Sequence, residues 1–233
     1  MSLPRSRHRD VGATGVRAAV LGAGDGLLTN VSLVLGIAGA NPPASTVRLA
    51  GLAGLLAGAF SMAAGELVSV QAQEELIEHE VEIERAELAD DPRGEESELA
   101  EMYEAKGIPA AEARTVADIL MSNSDVALDT HVRLELGVDP REPPSAWQAA
   151  IASFLSFSLG AFIPLFPWLF WSGATGIAAS IVLGAVAAVG LGAAIGAFTG
   201  SGVGRTALRQ LAAATIAATV TFAVGRLFDT ATT

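Results

Sequence analysis

The 233-residue chain is 51% hydrophobic and only 17% charged, with a mean hydropathy of +0.47, which excludes an ordinary soluble domain and makes a membrane protein the first expectation. Its net charge of −11 is concentrated in residues 74–142, where 21 of the 25 acidic residues meet six basic ones, a formal −15. So acidic a segment repels nucleic acid and anionic lipid and attracts cations, while the absence of cysteine excludes disulfides and thiolate metal sites.

About 20 apolar residues cross a bilayer as a helix. Five windows qualify, at about 16–39, 46–69, 147–169, 173–199 and 205–228. The opening MSLPRSRHRD is basic, and the apolar run behind it lacks a small-residue cleavage site, so it reads as a retained span preceded by a tail, residues 1–15. The first span contains LGAGDGLLTNVSLVLGIAGA, residues 21–40, with Asp25 in it. A carboxylate near mid-membrane costs about 2.5–3.5 kcal/mol on insertion scales, so it is expected to face a polar cavity. Thr29 lies one turn on along the same face, followed by Asn30 and Ser32. After the turn GANPP, the second span offers Met62 and Glu66, four apart and on one face. Asp25, Asn30, Met62 and Glu66 are thus the expected polar path through the membrane. Oxygen ligands suit divalent cations, and a thioether shifts the preference toward a transition metal. Against this, Met62 alone also suits apolar packing, and Glu66 also suits the cytoplasmic interface.

Residues 70–145 form a polar insert. The stretch VQAQEELIEHEVEIERAELADD continues the second span as one long helix, PRGE breaks it, and three short helices follow, ending near Gly107, Asp125 and Gly137. Glu84 and Glu87 share a helix face, as do Glu95 and Glu98, and His131 and Glu135 are four apart on the last helix. If these pairs converge they make a multi-carboxylate site with one imidazole; if not, they form a solvated acidic surface. The E-x-x-H pairs of di-iron carboxylate bundles are absent from the insert, which argues against an oxidase.

Between the third and fourth spans, PLFPWLFWSG supplies the prolines and tryptophans of a bend at the lipid interface. In the fourth span Gly176, Ser180, Gly184, Ala188, Gly192, Gly196 and Gly200 recur every four residues, a small-residue stripe for close helix packing; Ala50, Gly54 and Gly58 form a shorter one in the second. Arg5, Arg7, Arg9 and Arg17 precede the first span and Arg205 and Arg209 separate the fourth and fifth, whereas the opposite flanks hold only Arg48 and Arg226. The excess of positive charge puts the N-terminus and the insert in the cytoplasm and the C-terminus outside. The predicted fold is an all-α membrane protein with five transmembrane helices, spans 1–2 in 16–69 and spans 3–5 in 146–228, a cytoplasmic helical metal-binding insert between the second and third spans, and a 229–233 tail.

The stretches GDGLLTNVSLVLGIAGA, AGLLAGAFSMAAGE, the glutamate-rich insert and SAWQAAIASFLSFSLGAFIPLFP together resemble the vacuolar iron transporter family, from about residue 15 to 228 and in the same order. The resemblance implies a homodimer with the ion path between subunits along the first helices. It also implies export of Fe²⁺, or Mn²⁺, from the cytoplasm in exchange for protons, with the metal as substrate and no prosthetic group. It assigns Asp25 and Met62 to the path and Glu84, Glu87, Glu95, Glu98 and Glu135 to the insert's metal site. The chain departs from the plant pattern at Gly54, where those members carry a glutamate for which Glu66 is a candidate substitute. It departs again at His131 and Val132, which replace methionines and leave metals other than Fe²⁺ more open. Expected partners are metal ions, protons, the bilayer and a second copy, in a bacterial-type plasma membrane, with no nucleic acid and no enzymatic activity. The rival expectations are a membrane-anchored metal buffer or sensor that moves nothing, and a passive channel.

Overall fold

A computed structural model of the chain describes the backbone of residues 14–139 and 145–232 and the side chains of 18–139 and 145–228. Arg5, Arg7 and Arg9 of the expected basic tail, the side chain of Arg17, the 140–144 link and the side chains of the 229–233 tail lie outside the described residues. Among the described residues, regular structure is entirely helical: α1 (Thr14–Gly39), α2 (Ala44–Asp90), α3 (Pro92–Ala105), α4 (Ala110–Met121), α5 (Ser124–Glu135), α6 (Ala146–Leu165), a short 3₁₀ helix (Phe166–Leu169), α7 (Gly173–Thr199) and α8 (Val203–Thr232). Five of these, α1, α2, α6 with its 3₁₀ extension, α7 and α8, are long and apolar enough to cross a membrane. The chain divides into two compact units, split at Val68/Ser69 and Pro144/Ser145.

The first unit is organised around α1, which packs on α6, α7 and α8. The packing is inside-out relative to a soluble bundle. On α6, Ala149, Ala150, Ser153, Gly160 and Ala161 face inward, while Trp147, Ile151, Leu155, Leu159 and Phe162, at three- and four-residue spacing, are exposed. Lipid is as apolar as leucine, so large side chains gain little by leaving it, and small residues are selected where backbones touch. A Cβ at Gly160 would collide with the Ala23 carbonyl oxygen, and one at Gly26 with the Phe157 carbonyl oxygen.

The α7 stripe is buried from Gly176 to Gly196, and each position faces a specific neighbour. Gly176 lies against the Trp168 ring, Gly184 against Val31, and Gly192 and Gly196 against the backbone of Ala207 and Val203 on α8. Gly200 stands outside the stripe as the left-handed C-cap of α7. Ser180 has a role that its small size does not reveal. Pro164 and Pro167 remove two backbone donors where α6 gives way to the 3₁₀ helix; here the buried Ser180 hydroxyl donates to the Pro164 carbonyl (2.7 Å) and accepts from Trp168 Nε1 (2.9 Å). Ser180→Ala strands both groups away from water and is expected to lower stability by about 1–3 kcal/mol. A lower thermal midpoint in detergent would show it. Gly184→Ala, whose Cβ would meet only a Val31 methyl at 3.2 Å, should be milder.

In the second unit, the PRGE break becomes a capped junction. Asp91 accepts a hydrogen bond from the Gly94 amide (3.0 Å), and Pro92 opens α3, where its missing N–H is no loss. Asn123 caps α5 by accepting from the amides of Asp125 and Val126 (3.0 and 3.2 Å). Leu99, Ala100 and Ala117, with Tyr103, Leu120, Met121 and Leu134 around them, form a small core that joins α3, α4 and α5.

Candidate metal centre

The second unit brings together Glu84 of α2, Glu95 of α3, and His131 and Glu135 of α5, with one potential ligand atom from each lying within 4.8 Å of the others. His131 is central and fully buried. Its Nδ1 lies 3.1 Å from Glu84 Oε1, 3.1 Å from Glu135 Oε1 and 3.6 Å from Glu95 Oε2. Around an ion with metal–ligand bonds of about 2.1 Å, donor atoms stand roughly 3–4 Å apart, so the cluster needs only small rearrangement to close on a cation. Three carboxylates with one imidazole form a hard-to-borderline donor set suited to Fe²⁺, Mn²⁺ and related divalent ions.

Unoccupied, these carboxylates repel one another in a partly dry site. Burial is the largest effect on Glu84, followed by the charges of Glu135 and Glu95, and together with smaller contributions they push its carboxyl up to about 8 from an ordinary 4.5. Burial also raises Glu95, while the His131 ring pulls it the other way. Arg133, two residues from both His131 and Glu135, is engaged elsewhere, with Asp129 at 3.0 Å and Asp139 at 2.7 Å. A proton on Glu84 thus does in the free site what a bound cation would do in the loaded one. Because the native state holds that proton more tightly than the unfolded chain, the stabilisation is complete below about 4.5 and is lost as pH rises through about 8. Metal-free protein is accordingly expected to melt at progressively lower temperature as pH increases across this window, with Glu84→Gln flattening the dependence. Thermal unfolding in a chelating buffer series measures it.

Glu87 and Glu98, the other halves of the predicted pairs, are exposed and outside the four-residue cluster. They act through space instead: Glu87 raises the carboxyls of Glu84 and Glu95, and Glu98 raises that of Glu95. Glu87 and Glu95 also line an open acidic cleft with Asp90 and Asp91.

The predicted membrane-path residues, all in the first unit, occupy different environments. Asp25 is exposed on α1 and accepts from the Thr29 hydroxyl at 3.4 Å. Asn30 is buried instead, its Nδ2 donating to the Ala161 carbonyl of α6 at 2.6 Å while its Oδ1 has no partner. Met62 is half-buried against a cluster of Leu55, Ala59, Phe157 and Ala161, and Glu66 is half-buried one turn further along α2. A Cβ at Gly54 would collide with Leu33 and stand 3.1 Å from Asn30 Oδ1. Glu66 lies twelve residues on, about 18 Å along the helix, so it does not occupy the place a side chain at 54 would take.

The VIT family model matches residues 16–226. The chain is 33% identical over 213 residues to vacuolar iron transporter 1 of Arabidopsis thaliana, covering 91% of this chain and 85% of that one. It is 34% identical over 187 residues to vacuolar iron transporter 1 of Oryza sativa subsp. japonica, covering 80% and 74%. It is similar at 34% identity over 235 residues to a vacuolar iron transporter of Acanthamoeba castellanii, covering 96% and 83%.

Proposed function

The chain belongs to the VIT family, whose members are transporters and not enzymes, and from that premise we propose that it exports Fe²⁺ from the cytoplasm in exchange for protons, with Mn²⁺ as the alternative cargo. The observation that carries the reading is the cluster of Glu84, Glu95, His131 and Glu135, whose four donor atoms lie within 4.8 Å of one another around the buried His131 ring. In this reading the acidic insert faces the cytoplasm, concentrates the ion and delivers it to the membrane. Asp25 and Met62 relay it across, with Glu66 near the membrane surface. Glu87 and Glu98 add ligands or an approach field at the edge of the cluster.

An exposed carboxylate on a membrane-crossing helix is costly against lipid. Asp25 therefore supports a homodimer in which the first helices of two copies face each other across a polar path. Proton exchange draws on the chemistry of the insert, where a carboxyl that is protonated without metal releases its proton when a cation arrives. The anchored-buffer reading leaves Asp25 and its Thr29 contact without a purpose. Purified protein in liposomes containing a trapped metal-quenched dye should admit Fe²⁺, with Mn²⁺ competing. Tight binding without quenching would reject transport in favour of the buffer.

A further inference from the structure

The turn between α7 and α8 holds a second charged cleft, separate from any cation chemistry. Gly200 and Gly202, both with positive φ (71° and 93°), let the chain reverse in three residues. A chain of hydroxyls fixes it: Thr199 and Ser201 lie 2.7 Å apart, Ser201 and Thr206 3.2 Å, and Thr206 donates to the Gly202 carbonyl at 3.1 Å. Ser201, Arg205, Thr206 and Arg209 line a cleft of about 210 Å³ on this turn. Arg205 and Arg209 are one helical turn apart on the same face, near the positive end of the α8 dipole, so each raises the electrostatic cost of the other. Among the described residues, neither guanidinium forms an ion pair and no carboxylate lines the cleft.

Such a site seeks an anion, and its surroundings say which kind. Phe198 and Leu208, close to the arginines along the chain, are exposed apolar side chains, and the turn ends two helices long enough to span lipid. A soluble phosphate would use the arginines and leave this apolar shoulder bare. We propose that the cleft binds the phosphate of an anionic phospholipid, with Arg205 and Arg209 on the phosphate and Phe198 and Leu208 beneath the acyl chains. Two arginines with no carboxylate among the described lining residues favour net-anionic headgroups over zwitterionic ones, whose choline or ethanolamine cation they repel.

Native mass spectrometry of the full-length protein, titrated in parallel with phosphatidylglycerol, phosphatidylcholine and inorganic phosphate, tests this. Wild type should retain phosphatidylglycerol over phosphatidylcholine. Arg205→Gln with Arg209→Gln should weaken that binding roughly thirty-fold, at about fivefold for each arginine near an anionic surface. Arg48→Gln, which removes an arginine outside the cleft, should leave it unchanged. If the double variant does not fold, each single variant still carries the fivefold expectation, and Arg205→Lys with Arg209→Lys should keep most of the binding. Equal retention of both lipids, unchanged phosphatidylglycerol binding in the glutamine variants, an equal loss in Arg48→Gln, or displacement of the lipid by inorganic phosphate alone would each overturn the proposal.

Discussion

Asp25→Asn is expected to lower Fe²⁺ flux through the reconstituted protein by about tenfold or more, because it removes the charge that would offset the ion's dehydration within the membrane. The substitution is nearly isosteric, and the amide can still accept from Thr29, so the local geometry of α1 should survive. What it loses is the ability to hold a negative charge or a proton. The cluster of Glu84, Glu95, His131 and Glu135 does not include Asp25, so equilibrium metal binding should be unchanged. Loss of flux with retained binding separates a path residue from a structural one. Full flux in the variant would remove Asp25 from the path.

The second large effect is at Glu84. In the empty site Glu84 is a protonated carboxyl near neutral pH, and glutamine imitates that state, so Glu84→Gln should fold normally and be more stable than wild type near pH 8. The same substitution removes an oxygen that we assign to the metal, and affinity should fall by roughly a hundredfold, since even outer-shell changes cost 10–100-fold. Calorimetric titration of the full-length protein, read beside its melting curve, should show the two properties moving in opposite directions. His131→Ala should impair binding to a similar degree but also destabilise, because it opens a cavity at a fully buried position. A Glu84→Gln protein with wild-type affinity would mean that the cluster is not the ligand set.

The helices and their packing faces were largely legible because each is written in local periodicity. The α7 stripe needed only a four-residue repeat to be read, and PRGE marked the break after α2, whereas the Asn123 cap starts α5 at Ser124, ahead of the expected boundary at Asp125. What spacing could not supply was convergence. Glu84 and Glu87 share a helix face in sequence, as do Glu95 and Glu98, yet only one of each pair turns into the cluster. That choice depends on how the helices meet: the Asp91 cap joins α2 to α3, and a core of Leu99, Ala117 and Leu134 that spacing alone does not reveal holds α3, α4 and α5 together. The four-residue spacing of His131 and Glu135 marks the pair, but the position of His131 at the centre of three carboxylates comes from three separate helices. Asn30 illustrates the reverse difficulty. A polar residue in a span suggests a path, and spacing could not show that its Nδ2 donates to the Ala161 carbonyl, a partner 131 residues away, while its Oδ1 is left without one. Ser180 passed for a small packing residue because its two hydrogen-bond partners lie across a proline-broken turn. Arg205 and Arg209 were legible as orientation signals, whereas the cleft they line depends on the backbone of the glycine turn.

Coupling is the central claim, and it is measured most directly by Fe²⁺ uptake into proteoliposomes with an acidic or a pH-matched lumen, at zero membrane potential. Proton-coupled exchange predicts uptake several-fold faster into the acidic lumen, with proton efflux matching metal influx, and loss of this acceleration in Asp25→Asn. Uptake that proceeds equally with and without the gradient would contradict the account and identify a passive channel.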